Sequence, residues 1–461
     1  MSRTRRMLAA LLFLTLAAPA AHTATAHAVP ADTAPAYAVA ARPAVPDGTA
    51  PHAAARVPAW TGSWETGVSG TTALPPGAAV RNAVHLTVGG TAVRVRLSNR
   101  LGTEPLRLDE VTVARQRPGR PGSPAAVPGS LRAVTFRGER TAVLPSGADA
   151  VSDPVRLTVA AGADLLVTVR PHPGSGPATY HRDALRTGFV APYGTGTGTA
   201  AEEAGTAYTA VTGSWYYVTG VDVRTTHAAG TVVALGDSLT DGIGTTPDTD
   251  HRWPDLLAAR LRDLPPQRRL GVLNAGISGN RLLRDGTGPS ALSRLTADAL
   301  TRTGVRVLVV FEGINDIKGS PAATDAEAFV RAYRTLVTRA HRRGVRVVGV
   351  TLTPFGGHRA YTPAREAVRQ SVNTLIRGGE IFDAVLDFDA VVRDPDRPWR
   401  IRPDYDCGDH LHLGDAGTRA LADAVDLAEL TVPYGPSGPD APVWFTPRSP
   451  RPATPPRSAG S

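Results

Sequence analysis

The chain has 461 residues, 42% hydrophobic and 20% charged, an ordinary globular composition with material for two or three domains and a sizeable core. Its 47 glycines and 40 prolines are too many for a helical bundle, and one cysteine, Cys407, excludes an internal disulfide framework and a cysteine-cluster zinc site. The formal net charge of +9 comes almost wholly from arginine, with Lys318 the single lysine; no basic run suggests a nucleic-acid groove, and the arginine, alanine, glycine and proline bias resembles GC-rich coding, as in actinobacteria.

Residues 1–28 read as a secretory signal: Arg3, Arg5 and Arg6 form a basic start, Met7 to Ala21 an apolar run, and Ala26-His27-Ala28 a small-residue exit. No later run reaches the roughly 18 apolar residues of a membrane helix, so a secreted, extracellular, monomeric protein without a membrane anchor is expected. Residues 29–58 read as an Ala/Pro-rich linker and 432–461 as a Pro-rich disordered tail.

Between these ends the character changes near residue 228. Over 59–227 short alternating segments broken by Gly and Pro predict strands at Val84–Val88, Ala92–Leu97, Glu110–Ala114, Ala133–Phe136, Val155–Val159, Asp164–Val169 and Tyr216–Val223, the pattern of an antiparallel β-sandwich domain. Aromatic residues cluster in Trp60 to Trp64 and Trp215 to Tyr217. Exposed, they would stack on sugar rings; with few other aromatics to fill that core, burial is favoured.

Over 228–431 continuous apolar runs predict strands at Thr231–Leu235, Gly271–Asn274, Val305–Phe311, Val345–Leu352 and Ala384–Phe388, with amphipathic helices at Trp253–Leu261, Ala326–Arg342 and Pro363–Ile376. Runs without polar alternation suit strands buried on both faces, and the βαβ alternation predicts an α/β fold with a doubly wound, five-stranded parallel sheet. Functional residues are then expected at the carboxyl ends of the strands.

Four segments fall there. The first strand runs into Gly236-Asp237-Ser238-Leu239, the second into Asn274 to Arg281, the third into Glu312-Gly313-Ile314-Asn315-Asp316, and after the fifth comes Asp409-His410-Leu411-His412. In order and content these blocks resemble those of the SGNH hydrolase (GDSL esterase/lipase) superfamily, and the resemblance implies a serine ester hydrolase. Ser238 is the candidate nucleophile, since a serine hydroxyl attacks well only beside a base whose tautomer a third group fixes. The family pattern Asp-x-x-His is met by Asp409 with His412, whereas His410 has Cys407 at the matching place, so His412 is expected as base and His410 at the surface. The amides of Ser238 and Gly279 and the side chain of Asn315 are the candidate oxyanion hole. Asp237, Asp241 and Asp316 are expected to order loops, and Cys407 to be a small buried residue.

Around Ser238 and Ser278 no Gly-x-Ser-x-Gly elbow appears, and no dinucleotide fingerprint, phosphate loop or His-Glu-x-x-His helix is present, so no metal or other cofactor is expected. Trp253, Leu282, Leu283, Phe355 and Tyr361 suggest a modest apolar pocket. The expected substrate is a short-chain acyl or acetyl ester, on a small molecule or polysaccharide. The alternatives are a lipase or lysophospholipase, and a carbohydrate-binding protein with an inactive hydrolase domain.

Overall fold

Strands Gly230–Gly236, Leu270–Gly276, Val305–Phe311, Arg346–Val350 and Ala384–Leu386 build one parallel sheet, its first strand lying between the second and third and the fourth and fifth following in order. This is a computed structural model, and it describes residues 57–118, 122–192 and 198–432. The expected signal segment, residues 29–56 of the linker and residues 433–461 of the tail lie outside them. The strands are continuously apolar because their side chains, such as Val232, Leu273, Val309 and Val348, share one core with Trp253, Leu257, Phe329, Leu336 and Ile376 of the helices Trp253–Arg262, Ala326–His341 and Pro363–Arg377. The fifth strand stops at Leu386, short of the expected Phe388. Asp387 leaves the sheet to cap the helix Phe388–Val392, accepting from the Ala390 amide.

The preceding residues form antiparallel sheets. One contains Ala59–Glu65, Val218–Thr225, Ala92–Ser98 and Asp149–Val151; a larger one is centred on Ala79–His85, Asp164–Pro171 and Leu106–Arg115. Trp64, Val93, Val95 and Val221 of the first meet Val80, Val84, Val111 and Val167 of the second in a common core, as a sandwich requires. The expected strand Val155–Val159 is reduced to isolated bridges at its two ends. Just before it, Asp153 turns its carboxylate to Thr135, Arg137 and Gly138, and Pro154 has no amide to donate. The aromatic clusters are largely interior: Trp64 packs edge-on against Trp215 at 4.9 Å, and Tyr216 and Tyr217 are buried, whereas Trp60 is partly exposed beneath the Arg94 guanidinium.

The described residues belong to one compact unit, Arg56–Ser461. Strand Ala59–Glu65 lies against Leu270–Gly276, the edge of the parallel sheet. There the Gly62 amide donates to the Thr303 carbonyl and the Val272 amide to the Thr87 hydroxyl. Buried ion pairs join the same surfaces, Glu65 with Arg302 at 2.5 Å and Arg100 with Asp298 at 2.6 Å. At Gly271 the approach is closest: a Cβ would lie 2.2 Å from the Gly62 carbonyl oxygen, a backbone atom that cannot swing aside. Gly271→Ala is therefore expected to destabilise the protein by about 1–3 kcal/mol, as overpacking does. Urea unfolding checks this, and an unchanged midpoint would show that the two strands do not pack so tightly.

Candidate active site

Ser238 sits where the first parallel strand ends. The Asp237 side chain accepts from the Leu239 amide at 3.0 Å and caps the one-turn helix Ser238–Asp241. This turns the Ser238 hydroxyl toward the loop 406–413. There His412 Nε2 lies 2.8 Å from Ser238 Oγ, and His412 Nδ1 lies 2.5 Å from Asp409 Oδ2. With its Nδ1 against a carboxylate, the ring keeps its proton on that nitrogen and leaves Nε2 to accept from the hydroxyl. The other Asp409 oxygen accepts the amides of Leu411 and His412. Partial burial alone would raise the Asp409 pKa. The amide, ring and charge of His412 outweigh it and hold this carboxyl well below the ordinary value, so it is a carboxylate at neutral pH.

Asn315 and Gly279 line a cleft of about 300 Å³. Asn315 Nδ2 donates one hydrogen to Asp237 Oδ2 at 3.0 Å, which fixes the amide's orientation and leaves its second N–H for a ligand. Gly279 has φ +81°, a conformation that strains any residue with a Cβ. Among the described residues the amides of Ser238 and Gly279 have no acceptor within the chain. The arrangement can pass a proton from a serine to a histidine and offer three N–H groups to an oxyanion.

The expected loop acids do hold loops. Asp316 accepts the amides of Leu282 and Leu283, and Asp241 accepts both the amide and the hydroxyl of Ser278, next to Gly279. The other Asp241 oxygen lies 2.9 Å from Nε2 of His181, a residue of the sandwich. His181 is buried, and its two ring nitrogens face only acceptors: Nδ1 the Gly67 carbonyl, Nε2 Asp241 and the Asp183 carbonyl. Both nitrogens then carry protons. Burial lowers the His181 pKa, but Asp241 and the two carbonyls overcome this and raise it.

Sequence reasoning passed over two residues here, His181 and Arg294. Arg294 is buried and donates to the carbonyls of Gly236 and Ala275 and to Asn280. Neither lies in a block, and only the rarity of a buried arginine or histidine could have marked them.

His410 is at the surface, as expected, where it pairs with Asp406 at 2.6 Å. Other expectations change. Cys407 is exposed rather than buried. Trp253, Leu282 and Phe355 are wholly buried core residues. Of groups spaced to hold a cation, in the set His85, Asp164 and Asp250 the two carboxylates already share the Arg186 guanidinium, at 2.6 and 2.5 Å, and both face His85 Nδ1. Asp406 and Asp409, grouped with Cys407, are each bonded to a histidine.

Residues 234–420 match the family model of the GDSL-like Lipase/Acylhydrolase family. This part of the chain is a domain of that family, and the protein is a serine ester hydrolase. Solved structures with a similar fold include an aryl esterase of M. smegmatis (18% identity, 42% of this chain and 94% of that one, TM-score 0.34). A carbohydrate acetylesterase of Sinorhizobium meliloti matches at 16% identity over 43% of this chain and 97% of that one, TM-score 0.35. An acetyl xylan esterase matches at 21% identity over 42% and 96%, TM-score 0.32. No curated protein matches the chain.

Because the folded-state pKa of His181 is raised, its charge contributes stability in full below the ordinary value of 6.5, and that contribution is lost as pH rises through the raised value. His181→Gln, which cannot carry the charge, is expected to be less stable than the parent at acidic pH, with the gap narrowing as pH rises. Urea midpoints across pH measure it; a gap that is constant with pH would mean a neutral His181.

Proposed function

We propose that the protein is a secreted esterase that hydrolyses short-chain acyl or acetyl esters of a carbohydrate through an acyl-serine intermediate. The observation that carries the reading is the unbroken hydrogen-bonded chain Asp409–His412–Ser238 beside a small cleft with unused N–H donors. Ser238 Oγ attacks the ester carbonyl while its proton passes to His412 Nε2. The carbonyl oxygen, now an anion, is held by the amides of Ser238 and Gly279 and by Asn315. Collapse breaks the bond to the alcohol, which leaves with the proton from His412. Water, deprotonated in turn by His412, then attacks the acyl-serine and releases the acid and Ser238. Asp409 keeps the ring oriented and stabilises its charged form.

The cleft favours a short acyl group over a lipid chain: no large apolar side chain lines it, and the apolar candidates Trp253, Leu282 and Phe355 belong to the core. Export is supported by the basic start, apolar run and Ala-His-Ala exit at residues 1–28. An inactive hydrolase domain is disfavoured because no member of the constellation is substituted.

Ser238→Ala and His412→Ala are expected to abolish turnover of p-nitrophenyl acetate, while His410→Ala keeps most of it. Asn315→Ala is expected to lower kcat by about 10²–10³. Unchanged activity in Ser238→Ala, or loss in His410→Ala with His412→Ala active, would overturn the assignments. In a series from acetate to palmitate, rates are expected to fall beyond butyrate; rates that rise with chain length would instead establish a lipase.

A further inference from the structure

The cleft beside Gly279 and Asn315 is walled by three cationic side chains from three separate loops: Arg281 after the second parallel strand, Lys318 at the end of the helix Ile314–Lys318, and Arg359 after the fourth strand. His358 completes the wall. Several enclosed cations elsewhere in the chain are neutralised by carboxylates. Arg294 and Arg302 share Asp298, and Arg369 has both Glu366 and Asp389. In the cleft, among the described residues, neither the half-buried Arg281 and Lys318 nor the exposed Arg359 forms an ion pair.

The nearby acids are already committed. Asp409 is bonded to His412, Asp237 to Asn315 and the Leu239 amide, and Asp316 to the Leu282 and Leu283 amides. The cations therefore press on one another. Burial is the main cause that lowers the Lys318 pKa; Asp237, the strongest single charge acting on it, and Asp409 pull it up, while Arg359 and Arg281 push it down. Gathering like charges in a half-enclosed site is unfavourable unless an anion arrives to share them. Two guanidinium forks and an ammonium form a donor set suited to a carboxylate.

We propose that the substrate carries its own anion next to the scissile bond, and that it is an acyl ester of an acidic, uronate-bearing carbohydrate whose carboxylate sits among Arg281, Lys318 and Arg359. This deepens the esterase reading and rests on it. It also differs from a general role of these cations in steadying the oxyanion, which would act equally on neutral and charged esters.

The test compares ester pairs that differ in charge: O-acetylated galacturonate oligomers against their neutral methyl esters, and p-nitrophenyl succinate against p-nitrophenyl butyrate. The first pair puts the anion on the alcohol side of the ester, the second on the acyl side. With the full chain, kcat/KM is expected to favour the acetylated galacturonate over its methyl ester by about tenfold or more at low salt. The preference should shrink as ionic strength rises and collapse in Arg281→Gln/Lys318→Gln/Arg359→Gln. Binding to Ser238→Ala by calorimetry reads the cleft without catalysis, and the same preference is expected there. Tight binding of the anionic oligomer with no turnover of any of these esters by the parent protein would overturn the esterase reading and the substrate assignment with it, leaving only an anion-binding cleft. Turnover of neutral and anionic members at equal rates and salt dependence would overturn this one and leave the esterase reading standing. A preference confined to the succinate pair would also overturn it, because the anion would then belong to the acyl group.

Discussion

A single buried guanidinium ties the site together. Arg294 donates to the Gly236 and Ala275 carbonyls, at the ends of two neighbouring parallel strands, and to Asn280 in the loop that carries Gly279. The Gly236 carbonyl also accepts the Ile277 amide, and the guanidinium adds a charge-assisted bond to it and to the Ala275 carbonyl. One side chain thus links both strand ends and sets the spacing between the segment leading into Ser238 and the segment leading into Gly279. Its charge is balanced by Asp298, which also pairs with Arg100 of the sandwich.

The sandwich therefore reaches the site by two electrostatic routes. Arg100 acts through Asp298 on Arg294, and His181 acts through Asp241 on Ser278. Both routes are buried, where an unpaired charge is costly, so the ends of each chain of contacts are held to one geometry. Catalysis by prepositioned donors depends on such rigidity, because N–H groups that must reorient during the reaction lose most of their advantage.

Much of this was legible in the sequence. Uniform apolar runs gave the parallel strands, Val305–Phe311 to the residue, because a strand buried on both faces has no polar alternation to blur its ends. Ser238, Gly279, Asn315, Asp409 and His412 were singled out by the resemblance of four blocks to the SGNH hydrolase superfamily, and the fold brings Asp409, His412 and Ser238 into one hydrogen-bonded chain. The strands Ala178–His181 and Gly188–Ala191 were not, since four residues in a Gly- and Pro-rich stretch carry no period. His181 and Arg294 were hidden for a different reason. Their partners lie 60 and 58 residues away, at Asp241 and the Gly236 carbonyl, and only the folded chain brings them together. His410 shows the reverse: spacing relative to Cys407 gave it no acid, and the Asp406 it uses lies one residue further back.

Turnover depends on acylation of Ser238, activated by His412. A fluorophosphonate probe, which reacts only with an activated serine, tests this most directly when followed by intact mass and peptide mapping. The expected result is one adduct per chain, on Ser238, that disappears in folded His412→Ala. An adduct on another serine, or labelling that persists without His412, would contradict it.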